Sequence, residues 1–325
     1  MQNKTNNTRA ITESGIMAAV LLVIMLLTSY IPTLSLLAYV ILPTVVALIY
    51  VRNGAKYSVT ALIIALILGF MLTNLVQIIT IGPVMPFVGI PLGYCIKNKK
   101  KPANTIIFTS IGFLIVTAIT FFILPLFIYS NGFIGAVAYI VKEFNQSLDL
   151  TKTIYLNSGI SKDIVNQVDG FKVTSTKIFE MMPTAMVTGS LFYGMISYKV
   201  TEIIFKKLNI SMEKRRNFTY FFVPNLILAF LIVFICIGLL FQNKNMIIGE
   251  YIYTTGILLF TILLYLDAIA YMSYFLRNRS KLPKSLIVFV ILILMMILNS
   301  WFVLIGVIDS IFDFRKLDSN RIRKD

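Results

Sequence analysis

The sequence predicts an all-α fold: a polytopic helical membrane protein with about eight to nine transmembrane helices plus a C-terminal re-entrant hairpin. Three observations predict it. First, 58% of the 325 residues are hydrophobic and 13% charged, with a mean hydropathy of +0.86, where a soluble domain carries about 25% charged residues. Second, apolar runs of roughly 20 residues, the length that crosses a hydrocarbon core, recur along the whole chain. Third, the alternating segments of a membrane β-barrel are absent, so the spans are helices. The first apolar run continues into a second without an A-x-A-like cleavage site, so no removable signal peptide is expected.

Residues 1–10, MQNKTNNTRA, are polar and read as a cytoplasmic tail. A five-span block covers 11–129. Its first span, 11–29, carries Gly15, Ala18 and Ala19. Gly15 and Ala19 are one turn apart on one face, where small residues let another helix approach, from this chain or from a separate protein. The second span, 34–51, holds Pro43, tolerated where neighbours satisfy the freed carbonyl. VRNGAK then turns the chain into a third span, 57–76. The fourth, 79–96, contains Gly82, Pro83, Pro86, Gly89, Pro91 and Gly93. It is either a broken helix of the kind that lines transporter cavities or a kinked helix packed closely through Gly89 and Gly93. The fifth span covers 105–128.

Residues 130–179 form the one substantial extramembrane element, an extracytoplasmic loop by span counting. GFIGAVAYIVKEF has amphipathic spacing and SKDIVNQV a capped helix start. A connection of this length serves as a lid or binding surface, or as a passive cap. A second membrane block, 180–314, opens with a sixth span, 181–204, in which Glu202 and Lys206 form a favourable helix pair. The basic loop KKLNISMEKRRN leads to a seventh span, 218–241, and an eighth, 246–276. The last apolar stretch, 285–311, conflicts with the charge pattern if it is one span, because the basic tail 315–325 would then lie outside. Broken near Asn299-Ser300 it becomes two halves of about 12 residues, roughly 18 Å each, too short to cross alone. A hairpin buried against other helices is permitted and is the favoured reading.

The net charge of +15 follows from this threading. With a cytoplasmic N-terminus, the clusters at Arg52 and Lys56, Lys97–Lys101, Lys206–Arg216 and Arg277–Lys284 all fall inside. The short outer loops at 29–35, 73–78 and 242–245 hold one basic residue, Lys244. That is the positive-inside asymmetry, and no nucleic acid is needed to explain it. The chain has no histidine, and its two cysteines, Cys95 and Cys236, are far apart in apolar surroundings. No disulfide framework, metal site or cofactor is expected, and Ser-His and Cys-His catalysis are excluded. No phosphate loop is present, so ATP hydrolysis would have to come from a partner.

An ionisable group inside a membrane costs at least about 2.5–3.5 kcal/mol on insertion scales and is a functional candidate by default. Asp267 is the best such residue, with Tyr271 on its helical face. It would take a substrate amine, a proton or a cation, or else pair with a cationic side chain of a neighbouring helix or with tyrosine hydroxyls. Glu250 and Asp309 lie nearer ends or breaks. Asn225 and Asn299 are substrate-binding candidates, although interhelical hydrogen bonding is the commoner use. Intramembrane aspartyl proteolysis needs paired carboxylates, but Tyr265-Leu266-Asp267 and Gly306-Val307-Ile308-Asp309 do not fit its Tyr-Asp and Gly-x-Gly-Asp motifs. No catalytic residue is assigned, and the chain is not expected to be an enzyme.

The segment LIGVIDSIFDFRKL (304–317), with the ITESGIMAAV start and the VRNG turn, resembles the YybS-like family of predicted membrane proteins of Gram-positive bacteria. That family is grouped with the substrate-capturing S components of energy-coupling-factor (vitamin-type) transporters. The resemblance implies a membrane-embedded binding subunit that works with a coupling protein and ATPase subunits. It implies that Gly15, Ala18 and Ala19 form the docking face, with Gly15-xxx-Ala19 in place of the usual alanine pair. S components have six spans, and this chain has several more. Two functions follow as expectations: a small-molecule transport subunit, or a non-transporting scaffold that binds partners through its basic cytoplasmic loops.

Overall fold

The computed structural model describes residues 2–213, 217–279 and 283–317, without the side chains of 2–7, 32, 162–164, 279, 284, 299 and 300. Every regular element described is helical. Among the described residues, seven helices are long and apolar enough to cross a membrane, eight if a bent C-terminal pair counts as one span. The chain divides into two compact units: residues 1–178 with 185–214, and residues 179–184 with 215–325.

The first unit contains α1 (Gln2–Tyr30), α2 (Ser35–Asn53) and α3 (Ala55–Leu72). The fourth span is built from α4 (Leu75–Ile81), a π-helical turn (Met85–Gly89) and α5 (Ile90–Lys97). The helix is broken by a wider turn, and Gly89 and Gly93 also press it onto α2. A Cβ on Gly89 would stand 2.7 Å from the Val46 side chain, and one on Gly93 2.6 Å from that of Tyr50. After α6 (Pro102–Ile123) and the short α7 (Pro125–Ile128) come α8 (Gly132–Asn157) and α9 (Lys162–Gln167), neither of them among the apolar spans. Ser161 takes the N-cap position of α9 but makes no side-chain cap bond.

The long helix α10 (Ser175–Lys207) contains the expected sixth span, yet it is not among the seven apolar ones. Its residues 185–207 carry a polar seam, which lowers the hydropathy, and that seam is what packs it lengthwise along α2. Tyr193 donates to the Tyr39 carbonyl at 2.5 Å, Thr201 meets Thr44 at 2.8 Å, and Phe205 is buried with Ala47, Leu48, Leu92 and Ile96. The contacts advance together along both helices, so α10 lies parallel to α2 as a sixth bundle member. The Tyr193 ring stacks on Phe113 of α6 at 3.6 Å.

Several polar groups inside this unit pair across its helices, as an apolar surrounding favours. Gln77, buried at the start of the broken span, donates to the Met25 carbonyl and Thr28 hydroxyl, each at 2.5 Å, and accepts from Ser29. At the opposite end of α1, Glu13 holds Arg52 at 2.7 Å. Outward faces are apolar: Leu36 is 79% exposed and Met71 73%, an arrangement suited to lipid.

The segment that contains α8 and α9 is held by polar contacts instead. Asn145 on α8 hydrogen-bonds both the carbonyl and the amide of Val173. Lys152 pairs with Asp169 at 2.5 Å, and Lys172 with Asp149 at 2.7 Å. The bond from Lys152 holds the Asp169 carboxyl below its usual range, and the bond to Asp149 raises Lys172. A depressed carboxylate contributes above its unfolded value and is lost as pH falls through the lowered one; a raised amine contributes below its unfolded value and is lost as pH rises through the raised one. The clasp therefore persists through neutrality, and hydrogen exchange across 145–173 should accelerate in acid before the helices of the bundle respond.

Glycine spacing sets the tightest approach in this unit. A Cβ on Gly112 of α6 would stand 1.8 Å from the Phe87 carbonyl oxygen in the π-helical turn, an impossible contact. Gly112→Val should destabilise the unit by about 1–3 kcal/mol through overpacking, read by thermal unfolding in detergent. Gly189→Ala, whose Cβ meets nothing within 4 Å, should be neutral or slightly stabilising because it removes backbone entropy from a helix.

Candidate functional site: a buried carboxylate–guanidinium cluster

The second unit is organised on a helical hairpin, α11 (Asn225–Asn243) and α12 (Ile247–Arg279). Three glycines lock the register: Gly238 lies against Tyr253, Gly249 against Gln242 and Gly256 against Ile235. Moving forward on one helix moves backward on the other, so the pair is antiparallel. Beyond α12, α13 (Lys284–Ile297) and α14 (Asn299–Phe312) meet at 114°. Arg315, just past α14, reaches the backbone of Thr219 and Phe221, the segment that enters α11. That entry lies partway along α12, beside Asp267. The last apolar stretch is thus a bent pair of helices whose trailing segment comes to rest against α12 and the segment that enters α11.

The functional candidate lies inside this unit. A Cβ on Gly306 of α14 would stand 2.3 Å from the Leu264 carbonyl of α12, so the two helices touch backbone to backbone there. Asp267 and Asp309 each lie three residues beyond that crossing, less than one turn. The backbone then reverses. Asp313 adopts a left-handed conformation (φ +46°), its amide capping the Asp309 carbonyl at 2.7 Å, and its carboxylate accepts from the Leu317 amide at 2.7 Å. The reversal carries Arg315 back between the two aspartates.

All five N–H donors of the guanidinium are used. Nη2 donates to Asp267 Oδ1 at 2.7 Å and to Asp309 Oδ2 at 2.6 Å, and Nε to Asp309 Oδ2 at 3.0 Å. Nη1 donates to the carbonyls of Thr219 at 3.1 Å and Phe221 at 2.7 Å. The three charged side chains are 0% exposed. Asp267 Oδ2 and Asp309 Oδ1 are buried and make no hydrogen bond, although the Val223 amide lies near Asp267. With both carboxylates ionised, the cluster carries one uncompensated negative charge.

Of the residues singled out from sequence, the structure brings Asp267 and Tyr271 together here. The Tyr271 ring packs on Phe314 of the returning segment at 6.0 Å and on Phe275 at 6.5 Å. Glu250 stands exposed in the first turn of α12, about 25 Å along the axis from Asp267, and is not part of the cluster. Asn225 is the exposed first residue of α11, beside the Thr219–Val223 segment but outside the carboxylate pair. The side chain of Asn299 lies outside the described residues. In the first unit, Ala18 is buried in the core, while Gly15 and Ala19 face outward. Sequence reasoning missed Arg315, which it placed in a basic tail. The available signal was a pair of membrane aspartates in a chain without histidine, for which only lysine or arginine can serve as counter-ion. The cluster differs from an aspartyl-protease dyad because Arg315 Nη2 donates to both carboxylates from the position a shared water would need.

Removing one partner of a buried ion cluster costs far more than the cluster contributes. Arg315→Ala should therefore destabilise this unit by about 3–5 kcal/mol, whereas the combined change Asp267→Leu, Asp309→Leu and Arg315→Met should fold with stability near that of the parent. Thermal unfolding in detergent distinguishes the two.

Comparison with known proteins fits this architecture. Residues 19–310 match a protein-family model described as "Predicted membrane protein (DUF2232)". The chain is also similar to the "Uncharacterized protein YybS" of Bacillus subtilis (strain 168), 20% identical over 291 residues that cover 88% of this chain and 90% of that one. No solved structure matches. The family match includes Asp267 and Asp309 and ends short of Arg315. Covering most of both units, it establishes that this chain belongs to the DUF2232 family of predicted membrane proteins.

Proposed function

We propose that this multi-pass membrane protein is the substrate-binding subunit of a small-molecule uptake system, similar to the S component of an energy-coupling-factor transporter. The observation that carries this reading is the makeup of the first unit. Five apolar spans and the lengthwise α10 make six bundled helices, the number the S-component resemblance implies, and the extra spans belong to the second unit. The broken fourth span adds support, since discontinuous helices are where transporters place binding sites. In this reading the N-terminus and the basic loops are cytoplasmic by the positive-inside rule. Gly15 and Ala19 dock a coupling protein that recruits ATPase subunits. Asp267, Tyr271, Asn225, Asn299 and Glu250 are the residues to test for substrate contact, Asp267 first.

One observation favours a second reading, a non-transporting scaffold. Every donor of Arg315 is satisfied within the chain, so the guanidinium needs no external ligand and can serve as a structural clasp.

Purification from the native membrane in mild detergent, followed by mass spectrometry of bound proteins and small molecules, separates the two. Transport predicts a coupling protein with ATPases, or a retained vitamin-like compound. A Cβ on Gly15 would meet nothing within 4 Å, so Gly15→Leu should leave stability within about 0.5 kcal/mol while abolishing co-purification of the coupling protein. Unchanged partners in that variant, with no bound small molecule, would overturn the transport reading.

A further inference from the structure

We propose that Asp267 and Asp309 form a binding site for a single proton, and that this proton keeps the C-terminal segment carrying Arg315 docked. The inference concerns the same cluster as the transport reading but does not rest on transport.

Charge counting carries the argument. The guanidinium is permanently charged, so the cluster has a net charge of −1 with no bound proton, 0 with one and +1 with two. Only the singly protonated state is neutral, and an uncompensated charge away from water is strongly disfavoured. Geometry shows why Arg315 cannot cover the deficit. Two of its five donors are held by the Thr219 and Phe221 carbonyls, and the other three go to one oxygen of each carboxylate. The second oxygens, Asp267 Oδ2 and Asp309 Oδ1, are buried and unpaired, ready to take a proton.

No other described group on the surrounding elements supplies the missing charge. The helix α12 contributes Tyr265, Tyr271 and Tyr274, and the segment before α11 contributes Tyr220, all neutral phenols. On the returning segment, Asp313 adds negative charge and receives the Leu317 amide, while Lys316 is exposed. The described residues of α11 and α13 bring no charged side chain to the cluster.

The docked segment responds to departure from the neutral state in either direction. Loss of the proton leaves a buried negative charge. Gain of a second removes the anionic partners of Arg315 and leaves its positive charge alone. Docking therefore peaks over a window of pH and declines on both sides.

The test uses full-length protein in detergent without substrate, with a trifluoromethyl tag on Leu317→Cys in a Cys95→Ser, Cys236→Ser background. Fluorine NMR then reports docked and released populations from mildly acidic to mildly alkaline pH. The expected result is a bell-shaped docked fraction. Asp267→Asn should abolish the alkaline decline, because Asp309 and Arg315 then balance without a proton, and should keep the acid decline. A wild-type profile that is flat, or that falls only in acid, overturns the proposal. Infrared spectra of the wild type provide a check that needs no aspartate variant: a protonated-carboxyl stretch at neutral pH is expected, and its absence equally overturns the proposal. A failed search for transport partners would leave both readouts unaffected.

Discussion

No water reaches a hydrocarbon core to satisfy a stray polar group, and Arg315 shows how far this chain is shaped by that constraint. Two aspartates are placed in apolar helices where each alone would be costly. The chain answers by breaking its last apolar stretch, turning through a left-handed Asp313 and returning a guanidinium whose five donors are all engaged. Bend, reversal and cluster are one device. Without the counter-ion, the aspartates have no reason to stay buried.

The same constraint, met with neutral groups, organises the six-helix unit. Gln77 ties the broken fourth span to α1 through a carbonyl and two hydroxyls. Tyr193 and Thr201 tie α10 to α2. These contacts give direction and register to helices that dispersion alone would pack less selectively. Glycine supplies the other half of the specification. Gly89, Gly93 and Gly112 let backbone meet neighbour at distances no side chain permits, and Gly238, Gly249 and Gly256 do the same for the α11–α12 hairpin. Polar pairs choose the partner and glycines set how closely it is held.

The transport reading and the one-proton site share Asp267 but rest on different features. One draws on the six-helix unit and its outward small-residue face. The other draws on an imbalance of one charge within the second unit. The family to which the chain belongs covers both, and its matched region holds both aspartates. Arg315 lies beyond that region, so the counter-ion is a feature read from this chain's own fold.

By itself the sequence determined the membrane setting, the helical class and the course of most spans, and it singled out Asp267 as a candidate. These follow from composition and local apolar length, which the hydrocarbon thickness converts directly into structure. It also left open how the proline- and glycine-rich span is built, which the fold answers with a π-helical turn pressed onto α2 through Gly89 and Gly93. Only the tertiary structure decided that α10, too polar to look like a strong span, packs along α2, because its polar residues find partners far away in the chain. Only the tertiary structure paired Asp267 with Asp309 and Arg315. Those three meet where Gly306 allows two helices to touch and Asp313 reverses the chain, and contacts between distant segments leave no periodic mark in a sequence.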